Sequence, residues 1–459
     1  MIKKQIKKFK SFRNSLNRYL GLEVPIWMQS RKSLFIFFCM DFFLFLSVKR
    51  INIELFKNFN NFSSTIIYAL IWCLIGYVNG KYSYFKDIKN TYKKLYKLLF
   101  VSLIGLTIIY LIDKLLVIFA PNLMPFGRNN IIILGISSYL LQSIKFLIYK
   151  KVQENKFYLV GNIKEIDYFK RLIIKMNMKS NFELINFSYQ NKKELENQSI
   201  IILSKENNEE QLEFIYKNYL TLKLNLYTPF DWCEKYLHRI PIIYLFEKEY
   251  EMHQWSINSD SFQWRLKRFG DLFISLILII ISSPLILISS LLIWMEDKGP
   301  IFYRQIRTGL NGKEFNITKL RTMKVKSELN GPVWASKNDN RITKIGSILR
   351  KSRVDELPQL ISVLIGDMSL IGPRPERPSI EILLKEKIKY YELRQVMRPG
   401  LSGWAQVNYP YGASLEDSSN KLSFELFYIR NYSFWLDLLI FFKTIKLVLN
   451  MKGAHPLKK

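Results

Sequence analysis

Residues 345–378 read IGSILRKSRVDELPQLISVLIGDMSLIGPRPERP. Arg350, Lys351 and Arg353 lead into two adjacent carboxylates, Asp355 and Glu356. Leu357-Pro358 follows, then an apolar helical stretch ending at Gly366-Asp367, and the run closes on Gly372-Pro373-Arg374-Pro375-Glu376-Arg377-Pro378. Cations crowded about two acids, beside a stiff Pro-Arg-Pro, suit a site that handles phosphates with a carboxylate. The same letters also suit a plain helix start. Asp355 would be the N-cap, Glu356 would face the positive end of the helix dipole, and Pro358 would sit where an N–H has no intrahelical partner. The local sequence leaves both readings open.

The 459 residues have room for two or three domains. Apolar residues make up 49%, yet the mean hydropathy is only +0.01, as expected when membrane segments are joined to ordinary soluble parts. The net charge of +30 suits an anionic lipid surface or phosphorylated substrates. No zinc-finger spacing, basic zipper or RNA-binding aromatic motif is present, so no nucleic-acid partner is expected. Three cysteines and three histidines are scattered, which argues against a disulfide framework, a zinc site or a His-based triad.

Outward from the central run, residues 1–32 are basic and read as a retained cytoplasmic arm. Four apolar segments follow, at about 33–48, 62–80, 98–120 and 131–149, and predict a four-helix transmembrane bundle over 33–150. The first is short for a span, which needs about 20 residues. It carries Asp41, and an acid there is expected to face the bundle interior. Lysines and arginines concentrate before the first segment, after the second and after the fourth, which places both ends of the bundle in the cytoplasm.

Residues 157–255 alternate strand-like and helix-like runs and predict a small Rossmann-like α/β domain. Its first turn, Gly161-Asn162-Ile163-Lys164, lacks the G-x-G-x-x-G spacing, which favours a scaffold or regulatory module over a nucleotide site. Residues 262–459 predict an α+β domain. Its opening apolar stretch, 272–295, is long enough to span, yet it has positive charge on both flanks and Ser282-Ser283-Pro284 near its midpoint. That pattern predicts a re-entrant helix that enters the cytoplasmic leaflet, breaks at Ser283-Pro284 and returns; a kinked span is the alternative. Asn311-Gly312 between two alternating runs predicts a hairpin, with Lys319 and Arg321 on one face of its second strand. The aromatic, apolar region 428–450, which contains Asp437, reads equally as an interfacial or a core helix.

Lys267-Arg268 through Asp271, GKEFNITKLRTM, LRKSRVDELPQL, GDMSLIGPRPERP and RPGLSGWAQVN together resemble the bacterial sugar transferases, the polyprenol-phosphate hexose-1-phosphate transferases. The resemblance covers about residues 265–450. The four spans and α/β domain resemble the larger members, which prime exopolysaccharide, capsule or O-antigen synthesis at the bacterial cytoplasmic (inner) membrane. It implies a phosphoglycosyl transferase that moves hexose-1-phosphate from a nucleotide diphosphate sugar, UDP-linked by preference, to undecaprenyl phosphate and releases the nucleoside monophosphate. It also implies Asp355 as nucleophile, Glu356 as the Mg²⁺ ligand, Lys319, Arg350 and Arg374 about the substrate and its phosphates, and Asp437 as the matching late carboxylate; Arg321, on the strand face of Lys319, and Glu425 are further candidates for the substrate. Ser283-Pro284 matches the break in the family's re-entrant helix, and Arg353 has no counterpart and reads as surface. Membrane lipid is an expected partner, and a homo-oligomer is possible. Two departures bear on specificity: Asn408-Tyr409-Pro410-Tyr411-Gly412 stands where many relatives have Asn-Gly-Arg, and Phe424-Glu425 stands where they often have Tyr-Asp. Two alternatives remain from other classes. One is a polyprenol-phosphate glycosyltransferase, which would call for a D-x-D motif that is absent here. The other is a non-catalytic membrane scaffold with a nucleotide-sensing domain.

Overall fold

The computed structural model describes residues 38–44, 62–78, 81, 91–119, 128–148, 155–175, 182–187, 199–203, 209–219, 221–222, 224–245, 262–325, 341–409, 412 and 414–449. The basic arm, 1–32, and most of the first apolar segment fall outside these residues; 38–44 is helical. The chain divides into two compact units, residues 1–155 and 156–459.

In the first unit, helices α1 (Phe62–Val78), α2 (Thr91–Phe119) and α3 (Arg128–Ile148) share a core of Tyr68, Ala69, Trp72, Ile109, Ile131 and Leu134. Their outer faces present apolar side chains such as Leu111, Ile118, Ile136 and Leu140. Among the described residues their apolar stretches run over 68–77, 98–112 and 131–144. Asp41 points inward. It pairs with Lys81 at 2.8 Å and accepts a hydrogen bond from Ser138 at 2.7 Å, so this buried acid is neutralised inside the unit.

The second unit opens with β1 (Asn155–Val160), α4 (Ile163–Lys175), β2 (Phe182–Asn186), β3 (Ser199–Ile202), α5 (Glu209–Asn218) and β4 (Asn225–Tyr227). The sheet order is β2-β1-β3-β4, with β1–β3 and β3–β4 parallel. Phe157 to Val160 are all buried, as a central parallel strand covered on both faces requires. Phe157 and Leu159 pack on Phe169 and Trp232, while Tyr158 and Val160 pack on Leu212 and Ile215. At the turn after β1 the Glu165 carboxylate accepts from the Asn162 backbone N–H at 3.1 Å. An acid therefore occupies the helix N-terminus, where a nucleotide phosphate would bind.

Helix α6 (Phe262–Asp297) is the one described helix long and apolar enough to cross a membrane. The interruption expected at Ser283-Pro284 is not what the backbone shows, because helical structure runs through Pro284. Pro284 has no N–H for the Ile280 carbonyl. The Ser283 hydroxyl donates to that carbonyl at 2.9 Å and replaces the missing bond. Both ends of α6 are fastened to the same body. Near its start Lys267, Asp271 and Ser275 are buried, and near its end Ser289 and Ile293 are. Between them the apolar surface stands free, with Ile281 69% and Leu287 70% exposed.

The remaining elements are the hairpin β5 (Phe302–Thr308) and β6 (Glu314–Leu320), α7 (Lys344–Ser352), a 3₁₀ turn (Val354–Gln359), α8 (Leu360–Ile365) and β7 (Ser369–Ile371). After them come α9 (Pro378–Lys387), a second 3₁₀ turn (Tyr391–Val396), β8 (Gly400–Ser402), α10 (Trp404–Asn408), α11 (Leu415–Arg430) and α12 (Phe434–Leu449). The hairpin is antiparallel and turns at Asn311 (φ 53°) and Gly312 (φ 78°), as the Asn-Gly pair predicts. Strands β7 and β8 pair in parallel.

Candidate active site

The site is built on the turn that joins α7 to α8. Thr343 caps α7, its hydroxyl accepting from the Gly346 N–H at 3.0 Å. Gly346 lies so close to β6's continuation that an added Cβ would sit 2.2 Å from the Thr322 carbonyl oxygen. This close approach lets Arg350 Nε donate to Thr322 Oγ1 at 2.9 Å. Arg353 then ends α7 in the left-handed conformation (φ 61°), and the chain re-enters as a 3₁₀ turn. Asp355 is therefore not an N-cap; Arg353 holds that place and makes no side-chain cap bond. In a 3₁₀ turn residues i and i+3 share a face. Val354 and Leu357 use theirs to join the core of Ile293, Leu320 and Leu349. Successive residues diverge by about 120°, so Asp355 and Glu356 point in different directions from one short anchored turn.

Three cations converge on Glu356. Arg374 Nη2 reaches Oε1 at 2.7 Å, Lys319 Nζ reaches the same oxygen at 3.2 Å, and Arg353 Nη1 reaches Oε2 at 3.4 Å. Burial alone would raise this carboxyl, but Arg374, Lys319 and Arg353 hold it well below the usual range. Asp355 differs. It is 8% exposed and its Oδ1 has no hydrogen-bond partner. Burial, and next the Glu356 charge, push its carboxyl up to about 6 against the pull of Lys319, Arg350 and Arg353.

Glycine backbones bring Arg374 to this place. Gly372 N–H donates to the Ser402 carbonyl and Gly400 N–H to the Pro373 carbonyl, each at 2.8 Å. A Cβ on Gly400 would lie 2.0 Å from the Gly372 nitrogen, so only glycine lets these segments cross. The Gly-Pro-Arg-Pro and Arg-Pro-Gly-Leu-Ser-Gly runs thus form one structural unit.

Four expected ligands have other partners. Arg321 does not join Lys319 at Glu356; its guanidinium pairs with Asp297 at the end of α6. The divergence follows from β6 ending at Leu320, beyond which the chain no longer alternates as a strand. Asp437 holds Lys267 Nζ at 2.7 Å and accepts from the Tyr428 hydroxyl at 2.6 Å, fastening α12 to α6. Arg350 is bound to Thr322 rather than to either acid, and its charge is felt by Asp355. Glu425 grips Arg394 through two bonds, 2.8 and 2.9 Å, and accepts from the Arg374 backbone N–H at 3.3 Å. Arg353, expected at the surface, contacts Glu356. Arg394 was not legible as a site residue, because its role depends on Glu425, which lies on another helix. Arg268, within the Lys267-Arg268 motif, has a structural task. It closes the C-terminus of α8 by donating to the Val363 and Leu364 carbonyls at 2.7 and 2.9 Å.

Among the described residues no three His, Cys, Asp or Glu side chains cluster into a metal site. A magnesium ion is commonly held by one or two carboxylates, with substrate phosphates and water completing its shell. Asp355, with its orphaned Oδ1, fits that donor set, and Glu356 beside it fits only where a metal ion shares its carboxylate with Arg374, Lys319 and Arg353.

Residues 262–451 match the family described as Bacterial sugar transferase. Over 190 residues the chain is 44% identical to a UDP-N-acetylgalactosamine-undecaprenyl-phosphate N-acetylgalactosaminephosphotransferase of Aeromonas hydrophila, covering 41% of this chain and 45% of that protein. It is 39% identical over 181 residues to a UDP-glucose:undecaprenyl-phosphate glucose-1-phosphate transferase of Klebsiella pneumoniae, covering 39% of each. It is 37% identical over 186 residues to the exopolysaccharide production protein PSS of Rhizobium leguminosarum bv. phaseoli, covering 39% of this chain and 93% of that protein. The match therefore spans less than half the length of the first two relatives and nearly all of the third.

Proposed function

The chain belongs to the bacterial sugar transferase family, and on that footing we propose that it moves hexose-1-phosphate from a UDP-sugar to undecaprenyl phosphate, releasing UMP. The reaction would initiate a bacterial surface polysaccharide. The observation that carries the proposal is the asymmetry of the acid pair inside the matched region. Glu356 is gripped by three cations, while Asp355 keeps a carboxylate oxygen uncommitted.

Asp355 attacks the β-phosphorus of the sugar nucleotide. The bond from that phosphorus to the bridging oxygen breaks, and its electron pair leaves with UMP. An oxygen of undecaprenyl phosphate then attacks the phosphorus of the hexose-1-phosphoryl-aspartate and expels the Asp355 carboxylate. Negative charge spreads over the non-bridging oxygens at each step, so catalysis rests on positioning and fixed positive charge. Arg374 and Lys319 supply that charge, and Arg suits phosphate because its donors form a planar fork. Glu356, with Asp355 beside it, would hold Mg²⁺, which when bound supplies further charge neutralisation on the phosphates.

The lipid acceptor calls for a site at headgroup level. Helix α6 supports one, because both its ends bind the same body while its apolar middle stands free. A helix held at both ends by one body is hard to reconcile with ends on opposite faces of a membrane, which favours a re-entrant arrangement, with Pro284 as the place for a bend, over a span. The first unit's apolar helices fit a multi-pass anchor in the cytoplasmic membrane, with the catalytic domain on the cytoplasmic face.

The test is UMP release from a panel of UDP-sugars by membranes supplied with undecaprenyl phosphate. Wild type releases UMP with at least one sugar, and Asp355→Asn at equal membrane level releases at least about 10³-fold less. Substantial turnover by Asp355→Asn would remove the nucleophile assignment.

A further inference from the structure

Arg374 is held by its backbone as well as presented by its side chain. Its N–H donates to Glu425 Oε1 at 3.3 Å, and its carbonyl accepts from Arg394 Nη2 at 2.5 Å. The two holders are themselves a buried bidentate pair, 6% and 5% exposed. A charge pair so enclosed is costly to break from one side, since the survivor stays buried and unpaired. The Arg374 backbone is thus clamped between two side chains that leave each other only at high cost.

Glu425 lies on α11, and the outer side of that helix is covered by the α/β domain. Ile240 N–H donates to the Ser423 carbonyl at 2.8 Å. Arg239 Nη2 donates to Asn420 Oδ1 at 2.6 Å and its guanidinium stacks on Phe424. Glu234 Oε1 accepts from Arg430 Nε at 3.0 Å and from Asn431 Nδ2 at 2.8 Å. These contacts flank Glu425 along the helix, from residue 420 to residue 431. They arise just after β4, where the chain forms a helical turn at Pro229–Trp232 and continues as a π-turn at Cys233–Leu237. Segment 228–245 is thereby bound to the sheet on one side and to α11 on the other.

We propose that Arg394 and Glu425 are positioning residues for Arg374, and that the α/β domain, by gripping α11 through Glu234 and Arg239, fixes Glu425 where it can hold that backbone. The proposal rests on the transferase reading for its consequence in catalysis, though not for the structural coupling. The α/β domain then has a function that needs no ligand: it stiffens the phosphate-binding arginine from behind. Loosening it lowers activity without touching any group that meets substrate.

The test uses the full-length protein in lipid nanodiscs and compares Glu234→Arg, Arg430→Glu and the double charge swap. Glu234→Arg places two guanidinium groups together in a buried joint. It is expected to speed amide hydrogen exchange at Arg374 by at least about tenfold and to lower kcat/KM for the sugar nucleotide by a similar factor. The double swap rebuilds the pair and is expected to bring both readouts within about threefold of wild type, a recovery that nonspecific damage would not show. Glu425→Gln weakens the inner link and is expected to speed exchange at Arg374 while leaving Ile240 protected. Should Glu234→Arg fail to fold, Arg239→Met answers the same question, because it removes the Asn420 bond and keeps the side chain's bulk. Fast exchange at Ile240 with unchanged exchange at Arg374 would overturn the coupling. Wild-type protein that releases no nucleotide from any sugar would sink the transferase reading instead, and the exchange data would still decide the coupling.

Discussion

Burial alone would raise both carboxyls of the Asp355–Glu356 pair, and their neighbours separate them. Glu356 has three cations within 3.4 Å and stays ionised. Asp355 is pushed up to about 6 by burial and by the charge next door. As nucleophile it must be ionised, so kcat/KM is expected to fall about tenfold per pH unit below about 6 and to level off above. An acid limb centred near 4 would mean that Asp355 is solvated in the working enzyme. The shift also has a stability sign. A carboxyl with pKa raised on folding takes up protons as the chain folds, so stability is lost as pH rises from about 4 to about 6. Asp355→Asn escapes that loss. Its melting temperature relative to wild type is expected to climb across that window, the gain corresponding to about 2–3 kcal/mol at pH 7. Arg374→Lys and Arg321→Lys separate site from scaffold. The first is expected to cost about 10²-fold in kcat/KM, the second mainly thermal stability. At this scale the local charge pattern left the pair between a helix start and a site, and it was the resemblance of the flanking motifs that singled it out. The partners of Arg321, Asp437 and Glu425 were not legible, since each pairing joins elements distant in the chain.

Helix α6 shows how a sequence signal can be right in chemistry and different in form. Ser-Pro in an apolar run does mark a weak point, because Pro284 removes one backbone donor. The Ser283 hydroxyl returns a donor to the Ile280 carbonyl, and the helix stays continuous. Ser283→Ala is expected to destabilise the protein by about 1 kcal/mol by orphaning that carbonyl in an apolar setting. Adding Pro284→Ala restores an N–H and should recover the loss in thermal unfolding. The 3₁₀ turn at Val354–Gln359 is a second case. A helix start was expected there, and what forms is a tighter turn after the left-handed Arg353, a conformation that side-chain periodicity does not encode. The Asn-Gly hairpin, by contrast, was fully legible because its turn chemistry is local.

For the whole molecule, the chain divides into two units. The 1–155 unit carries apolar outer faces and an internal Asp41–Lys81 pair, as a membrane anchor would. The α/β sheet was readable from its alternating runs, yet its seat on α11 was not. The residues that make it, Glu234, Arg239 and Ile240, lie in a stretch without periodic pattern. A chain beginning at residue 156 keeps this seat, and one beginning at residue 256 loses it. The shorter chain is expected to melt at least several degrees lower in detergent, because Arg430 and Phe424 lose their covers. Equal melting temperatures would show that the contact carries little energy. Single cysteines placed before Arg265 and after Lys298 are both expected to react from the cytoplasmic side, and labelling from opposite sides would make α6 a span.

The most direct measurement follows the β-phosphate. Purified protein in nanodiscs containing undecaprenyl phosphate is given a UDP-sugar radiolabelled on the phosphate next to the sugar. The account predicts that this label passes to lipid with one UMP released per transfer, and that without acceptor it remains covalently on wild-type protein but not on Asp355→Asn. Label that stays in soluble UDP while the sugar alone reaches lipid would contradict it.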